Sequence, residues 1–344
     1  VITLAGTIDP HHRRRQGVKR NLFAGRRRSG GIGLDVFTDD EIQDVHLATL
    51  EVLERTGVWV EIDEALDIFS DGGCVVDRES HTVRIPPHLV EDAIRSAPAS
   101  ITLCGRDPAN DIVIGAGRVG FSNFGEGVMV VDPYSGELRS STKQDLSDIA
   151  KLVDALPEVD VFEIAVGAGD MPPATASIHN HEAAIAGQTK PISGGPLDGR
   201  AVRISLAMLE AVQGSADAVR ERPMMIMGTC PVSPLKLVSD CCEIVIEAAR
   251  AGVPANILSM AMAGASAPIT LAGTLVTHNA EVLSGIVLSQ LTERGAKVFY
   301  GSSTTAMDLR LAAASVGSPE CALISAGVAQ LARQYRLPSY IAGA

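Results

Sequence analysis

Aromatic residues are scarce, at 3% of 344 positions, so each tyrosine or phenylalanine beside a site carries weight. Metal-type spacing is missing as well. The six cysteines (74, 104, 230, 241, 242 and 321) form neither a C-x-x-C nor a paired Cys/His pattern, which argues against a structural zinc site or a disulfide framework. Positive charge is short: 29 Lys and Arg face 41 Asp and Glu, a net of −12, which argues against nucleic acid as partner. The one long stretch free of Asp, Glu, Lys and Arg, residues 251–280, is broken by Pro254, Asn256, Gly264, Pro268 and Gly273. A membrane span wants roughly 20 mostly apolar residues without such punctuation. The stretch reads instead as a buried strand and the helix after it, and a reduced, cytoplasmic protein with no membrane contact is expected.

What charge of positive sign there is concentrates at the start. Residues 1–30 hold eight Lys and Arg and one acid, Asp9, whereas the remaining 314 residues carry 21 bases against 40 acids. A tail this basic on so acidic a body is expected to be disordered or to contact an acidic surface. It has no apolar core of the signal-peptide kind.

An α+β lobe is expected over 31–141. Thr38-Asp-Asp-Glu41 has capping-box spacing, and Ile42, Val45, Thr49, Val52 and Leu53 follow at helical intervals until Gly57. Pro86-Pro87 opens a further helix. Ile101–Cys104, Asp111–Ile114, Arg118–Phe121 and Val128–Val131 read as antiparallel strands between Gly, Asp and Asn turns. Gly115-Ala-Gly117-Arg-Val-Gly120 matches the dinucleotide fingerprint G-x-G-x-x-G, but loop and strand follow it where a helix is needed, so it reads as a glycine-rich hairpin.

From Thr142 to the end, 142–344, the pattern changes to repeated βα units. Six strands are expected: Val161–Val166, Lys190–Ser193, Met224–Met227, Ala255–Met260, Val298–Tyr300 and Ser339–Ile341. Helices lie between them, the last opened by Ser318-Pro319-Glu320, which combines a capping residue, a proline at the first helical position and an early acid. Periodicity alone permits a doubly wound sheet or a (β/α)8 barrel. Both place their chemistry at the carboxyl ends of the strands.

The run YGSSTTAMDLRLAAASVGSPECALISAGVAQLARQYRLPSYIAGA (Tyr300–Ala344) resembles the trimethylamine:corrinoid protein methyltransferase family, and the likeness reaches back to about Gly33. The resemblance implies an α/β fold with a (β/α)8 TIM-type barrel, here without its last two strands, behind the α+β lobe. It implies transfer of a methyl group from trimethylamine to the Co(I) of a cognate corrinoid protein in methylamine catabolism. The chain itself would bind no cofactor directly and no metal; it would act on the corrinoid of the partner. A homo-oligomer is expected. In methanogen-type members an in-frame amber codon, read as pyrrolysine, follows the segment that ends here at Gly343-Ala344, so the chain is expected to be recorded only as far as that codon. The alternatives are a pyrrolysine-free relative acting on a quaternary amine of the glycine betaine type, and a non-catalytic fragment.

Two groups of residues are substrate-binding candidates. Tyr300, Ser302, Ser303, Thr304 and Asp308 lie at the carboxyl end of the fifth strand, where turn chemistry and capping are the other reading. Asn123, Phe124 and Glu126 form a loop with one carboxylate among glycines, able to reach over a barrel mouth toward a substrate cation or to be a solvated turn. Cys230, after the third strand, has no identifiable base and reads as a packing residue. His179 and His181, two apart on a helix, point to different faces and do not suggest a shared metal.

Overall fold

The computed structural model describes residues 26–27 and 35–342. The basic tail, Gly343, Ala344 and any residue expected after them lie outside the described residues, except that Arg26–Arg27 pairs antiparallel with Arg118–Val119.

Thr38 closes the expected capping box: its hydroxyl accepts from the Glu41 amide at 3.3 Å while the Glu41 carboxylate accepts from the Thr38 amide at 2.8 Å. Helix Asp39–Glu51 follows, widens into the π-type turn Val52–Thr56 and stops at Gly57. There φ is +77° and a Cβ would lie 2.3 Å from the Val83 carbonyl oxygen, so only glycine fits. The lobe then builds two small sheets. Val58–Val60, Thr82–Arg84 and Val75–Asp77 form one, and Lys236–Leu237, from far along the chain, adds a parallel edge strand to it. Ser100–Leu103 and Ile112–Gly115 form the other and turn into Arg118–Val119 through Gly115 and Gly117, both at positive φ. The glycine motif is therefore a hairpin.

Helix Lys143–Ala155 leads into the main sheet, capped by Thr142 and Asp145. Its strands are β1 (Phe162–Glu163), β2 (Ile192–Gly194), β3 (Met225–Thr229), β4 (Ala255–Ser259), β5 (Val298–Ser302) and β6 (Ser339–Ile341), all parallel and neighbouring in sequence order. The main helices between them are α1 (Ala176–Gly187), α2 (Gly199–Gln213), α3 (Ser239–Ala251), α4 (Leu271–Thr292) and α5 (Pro319–Tyr335), with the short helix Ala216–Glu221 following α2. Six parallel strands in unbroken order with a helix after each of the first five are consecutive staves of a TIM-type barrel, and no doubly wound reversal occurs.

Side chains alternate across a strand, and the ladders fix which way each set points. Glu163, Ser193 and Ile226 share one row, Gly228, Asn256 and Phe299 a second, Leu258, Gly301 and Tyr340 a third. Val161, Ile226 and Phe299, from alternate staves, meet Ile101, Leu103 and Ile112 of the lobe in one apolar cluster, so the lobe hairpin plugs the barrel floor. The opposite parity faces the helices: Ile257, Val298 and Tyr300 enter the core shared with α4 and α5, and Phe162, Ile192 and Met225 a second core. Helix α4 is long and apolar enough to cross a membrane by length and composition, but 72% of its apolar window is buried inside the fold. It is the central core helix, apolar all round because protein surrounds it.

Two strand boundaries differ from expectation. β1 is two residues long, because on either side of Phe162–Glu163 the chain makes isolated bridges, Val161 with Ser122 and Val166 with Gly127. β5 runs on through Gly301 and Ser302 because both neighbours continue the ladder. The Gly/Ser/Thr stretch after it is not all loop: Thr305–Asp308 pairs with Met262–Ala263 and with Ala313–Ala314 in a small sheet beyond the carboxyl end of the staves.

Candidate functional site at the carboxyl end of the barrel

The segment from Phe121 to Gly127 is fastened along the free side of β1. Asn123 is the fastener, donating from Nδ2 to the Glu163 carbonyl at 2.7 Å and accepting at Oδ1 from the Glu163 amide at 3.0 Å. Gly125 allows the approach: a Cβ there would lie 2.4 Å from the Ile164 carbonyl oxygen. The next residue, Glu126, is thereby set at the mouth, where its Oε1 accepts from the Gly195 amide at 3.3 Å.

Within the barrel, Glu163 from β1 accepts at Oε2 from the Tyr340 hydroxyl of β6 at 2.7 Å, and Tyr340 shares a second bond of 2.8 Å with Ser122 Oγ. Loss of hydration pushes the Glu163 carboxyl up, against the pull of its Tyr340 and Ser193 bonds, and the nearby Glu126 pushes it further. Glu126 is also raised by loss of hydration, opposed by the Gly195 amide, even though its side chain keeps solvent contact. Tyr340 is held well above the usual phenol value by burial first and by Glu163 second. Gly195, Gly228 and Gly301 bring no side chain to the interior at this level, and the Asn256 amide lies against Gly301. Asn256, 2% exposed, occupies the middle row; its Oδ1 is sealed and meets no donor among the described residues. Leaving such a group unpaired costs about 1–3 kcal/mol.

The candidate residues divide. Glu126 stands at the mouth with Asn123 anchoring its loop, and Phe124 is 73% exposed on the rim. Tyr300 points away from the barrel interior, 0% exposed, donating to Asn279 Oδ1 at 2.7 Å; Asn279 donates on to Thr49 Oγ1 and to the Tyr335 hydroxyl, which pairs with His46. Its strand parity assigns it to the fold. Ser302 shares that outward parity and lies buried, its Oγ accepting from the Thr304 amide. Asp308 caps its own turn, accepting from the amides of Arg310 and Leu311. Thr304 is buried against His278 Nδ1 at 2.9 Å, and the Ser303 amide donates to the Ser259 carbonyl. Both help join β4 to β5. Glu163, Tyr340 and Asn256 were not singled out in the sequence. The period-2 parity that places Tyr340 inside and Tyr300 outside could have found them only once the register was known.

Cys230 follows β3 and its thiol is pushed up to about 11 by loss of hydration and by Glu126, which keeps it a thiol at neutral pH. His179 meets Lys143 while His181 is buried against Ser205 and pushed down to about 4 by burial, so the two histidines part as expected. Among the described residues no group of three or more His, Cys, Asp or Glu is arranged to hold a metal.

Six parallel staves with acidic and phenolic groups at their carboxyl ends define the TIM-type fold, which keeps its sites at that end. Two solved structures share the fold: the hydroxylamine complex of MtmB, with a TM-score of 0.53 and 13% identity over 98% of this chain and 72% of that one, and Methanosarcina barkeri monomethylamine methyltransferase (MtmB), with a TM-score of 0.52 and 14% identity over the same shares. The chain belongs to the trimethylamine methyltransferase (MTTB) family, whose model matches residues 11–344. It is 51% identical to trimethylamine methyltransferase MttB of Desulfitobacterium hafniense over 93% of this chain, and 44% identical to that of Methanosarcina barkeri over 94%. A glycine betaine methyltransferase of Desulfitobacterium hafniense is 33% identical over 90%. The chain spans 64% of the length of the first of these relatives and 67% of the second.

Proposed function

We propose that the protein moves a methyl group from trimethylamine to the Co(I) of a corrinoid protein, in the cytoplasm, with the amine held between Glu126 and Glu163. The observation that carries this reading is the pair of carboxyls over a glycine-lined interior in a member of this family. A neutral amine is a poor methyl donor because an amide-like anion would have to leave. Once nitrogen bears four bonds, by protonation or by addition to an electrophile such as the imine carbon of the pyrrolysine that the resemblance implies, the C–N electron pair stays on a neutral amine. Two carboxylates stabilise that positive nitrogen, and charges held in place before the reaction need no reorganisation when it occurs. Identity of 51% and 44% to trimethylamine methyltransferases, against 33% to the glycine betaine enzyme, supports trimethylamine as donor. Asn123 and Tyr340 hold the two carboxyls in place.

The test is to mix the protein with trimethylamine and a corrinoid protein reduced to Co(I), following loss of the Co(I) absorbance and release of dimethylamine. Glu163→Gln is expected to lower the rate about a hundredfold with little change in Tm. Amine-independent methylation, or equal loss of rate and of Tm, would overturn the assignment.

A further inference from the structure

We infer that Asn256 reads the N–H of the bound ammonium and so sets a preference for tertiary over quaternary amines. This rests on the proposed function, since it names a contact within the same chamber. Asn256 is 2% exposed and lies on the inward parity of β4, between Gly228 and Phe299 of its neighbours. Its Oδ1 makes no hydrogen bond to the described residues, although buried polar groups are nearly always paired. The fold makes room for it. A Cβ on Gly301 would lie 2.2 Å from Asn256 Oδ1, so the glycine beside it is required for the amide to lie where it does.

An amide oxygen accepts from N–H and gains nothing comparable from N–CH3. A half turn about χ2 exchanges two ends of nearly the same size, so the oxygen can be presented to the chamber without repacking. Trimethylammonium has one N–H to donate, whereas tetramethylammonium, with the same charge and one more methyl, has none. The charges of Glu126 and Glu163 attract both cations, and their oxygens also accept an N–H. Among the uncharged polar groups on the interior rows, Ser193 and Tyr340 are engaged with Glu163, so Asn256 adds a neutral acceptor for the N–H to those of the carboxylates.

The experiment measures binding of trimethylammonium chloride and tetramethylammonium chloride to the protein by calorimetry, for the parent and for Asn256→Leu and Asn256→Asp, with Tm recorded for each. The parent is expected to prefer trimethylammonium by about tenfold. Asn256→Leu should lower that preference several-fold while leaving tetramethylammonium affinity within about twofold, and Asn256→Asp, which keeps an acceptor, should retain it. Equal affinity of the parent for both cations overturns the inference and leaves the amine reading standing. A Leu variant that keeps the preference and melts higher also overturns it, by making Asn256 a packing defect. Failure of the parent to bind either cation overturns both the inference and the proposed function.

Discussion

At the scale of single residues, the two carboxyls of the mouth are held against their solvation preference. Glu126 is raised from 4.5 in the folded chain. The folded state therefore binds that proton more tightly than the unfolded chain does, so stability falls as pH rises above about 4.5 and the penalty is absent below it. Glu126→Gln removes the penalty. Its Tm should exceed the parent's at pH 7.5 by a small amount, about 1 °C because the group keeps solvent contact, and should match it at pH 4; cation binding should weaken at the same time. A variant less stable than the parent at pH 7.5 would refute this. Tyr300 and Tyr340 show how far one sequence carries at this scale. Both are tyrosines in the middle of short parallel strands in an aromatic-poor chain, and only the register, Ile257 beside Tyr300 and Gly301 beside Tyr340, sends one to the helices and the other to the site.

Elements were more legible than residues. Thr38, Thr142 and Ser318 each start the helix their capping chemistry announces, and the six strands fall in the order expected from alternating βα signals. Strands of two or three residues such as Lys236–Leu237 and Ala313–Ala314 carry no period of their own and exist because a partner edge is at hand. One element depends on a single cation. Lys190, 1% exposed, donates from Nζ to the carbonyls of Val153, Leu156 and Val159, closing the end of helix Lys143–Ala155 and the turn beyond it. Hydrogen bonds from a charged donor are worth about 1.5–3 kcal/mol each and an orphaned carbonyl has its own cost. Lys190→Met should therefore lose about 3 kcal/mol or more in urea unfolding. A loss under about 1 kcal/mol would show that water replaces the ammonium.

Across the whole molecule, the carboxyl face of the barrel is apolar as well as acidic. Phe124, Val232, Ile269, Leu309 and Leu311 stand between 47% and 76% exposed on loops at that face. Exposed apolar rims of this kind mark contact surfaces. The protein is expected to self-associate with rising concentration, insensitive to salt, and Leu309→Ser with Leu311→Ser should reduce the scattering while changing stability by no more than about 0.5 kcal/mol. Unchanged light scattering in the double variant would count against this surface. The floor is closed differently, by lobe residues Ile101, Leu103 and Ile112.

The hydroxyl of Tyr340 on the carboxyl of Glu163 joins the first described stave to the last. Twist accumulates from strand to strand in a parallel sheet, so the separation of its two ends is the sum of five small rotations, each soft on its own. A single bond between those ends is a drawstring: it fixes the curl of the sheet and the gape of the mouth together. Tyr340→Phe should accordingly do more than free one carboxyl. It should lower Tm by about 3 °C and relax the sheet toward a wider arc, visible as faster amide exchange in β6 while β3 is unaffected.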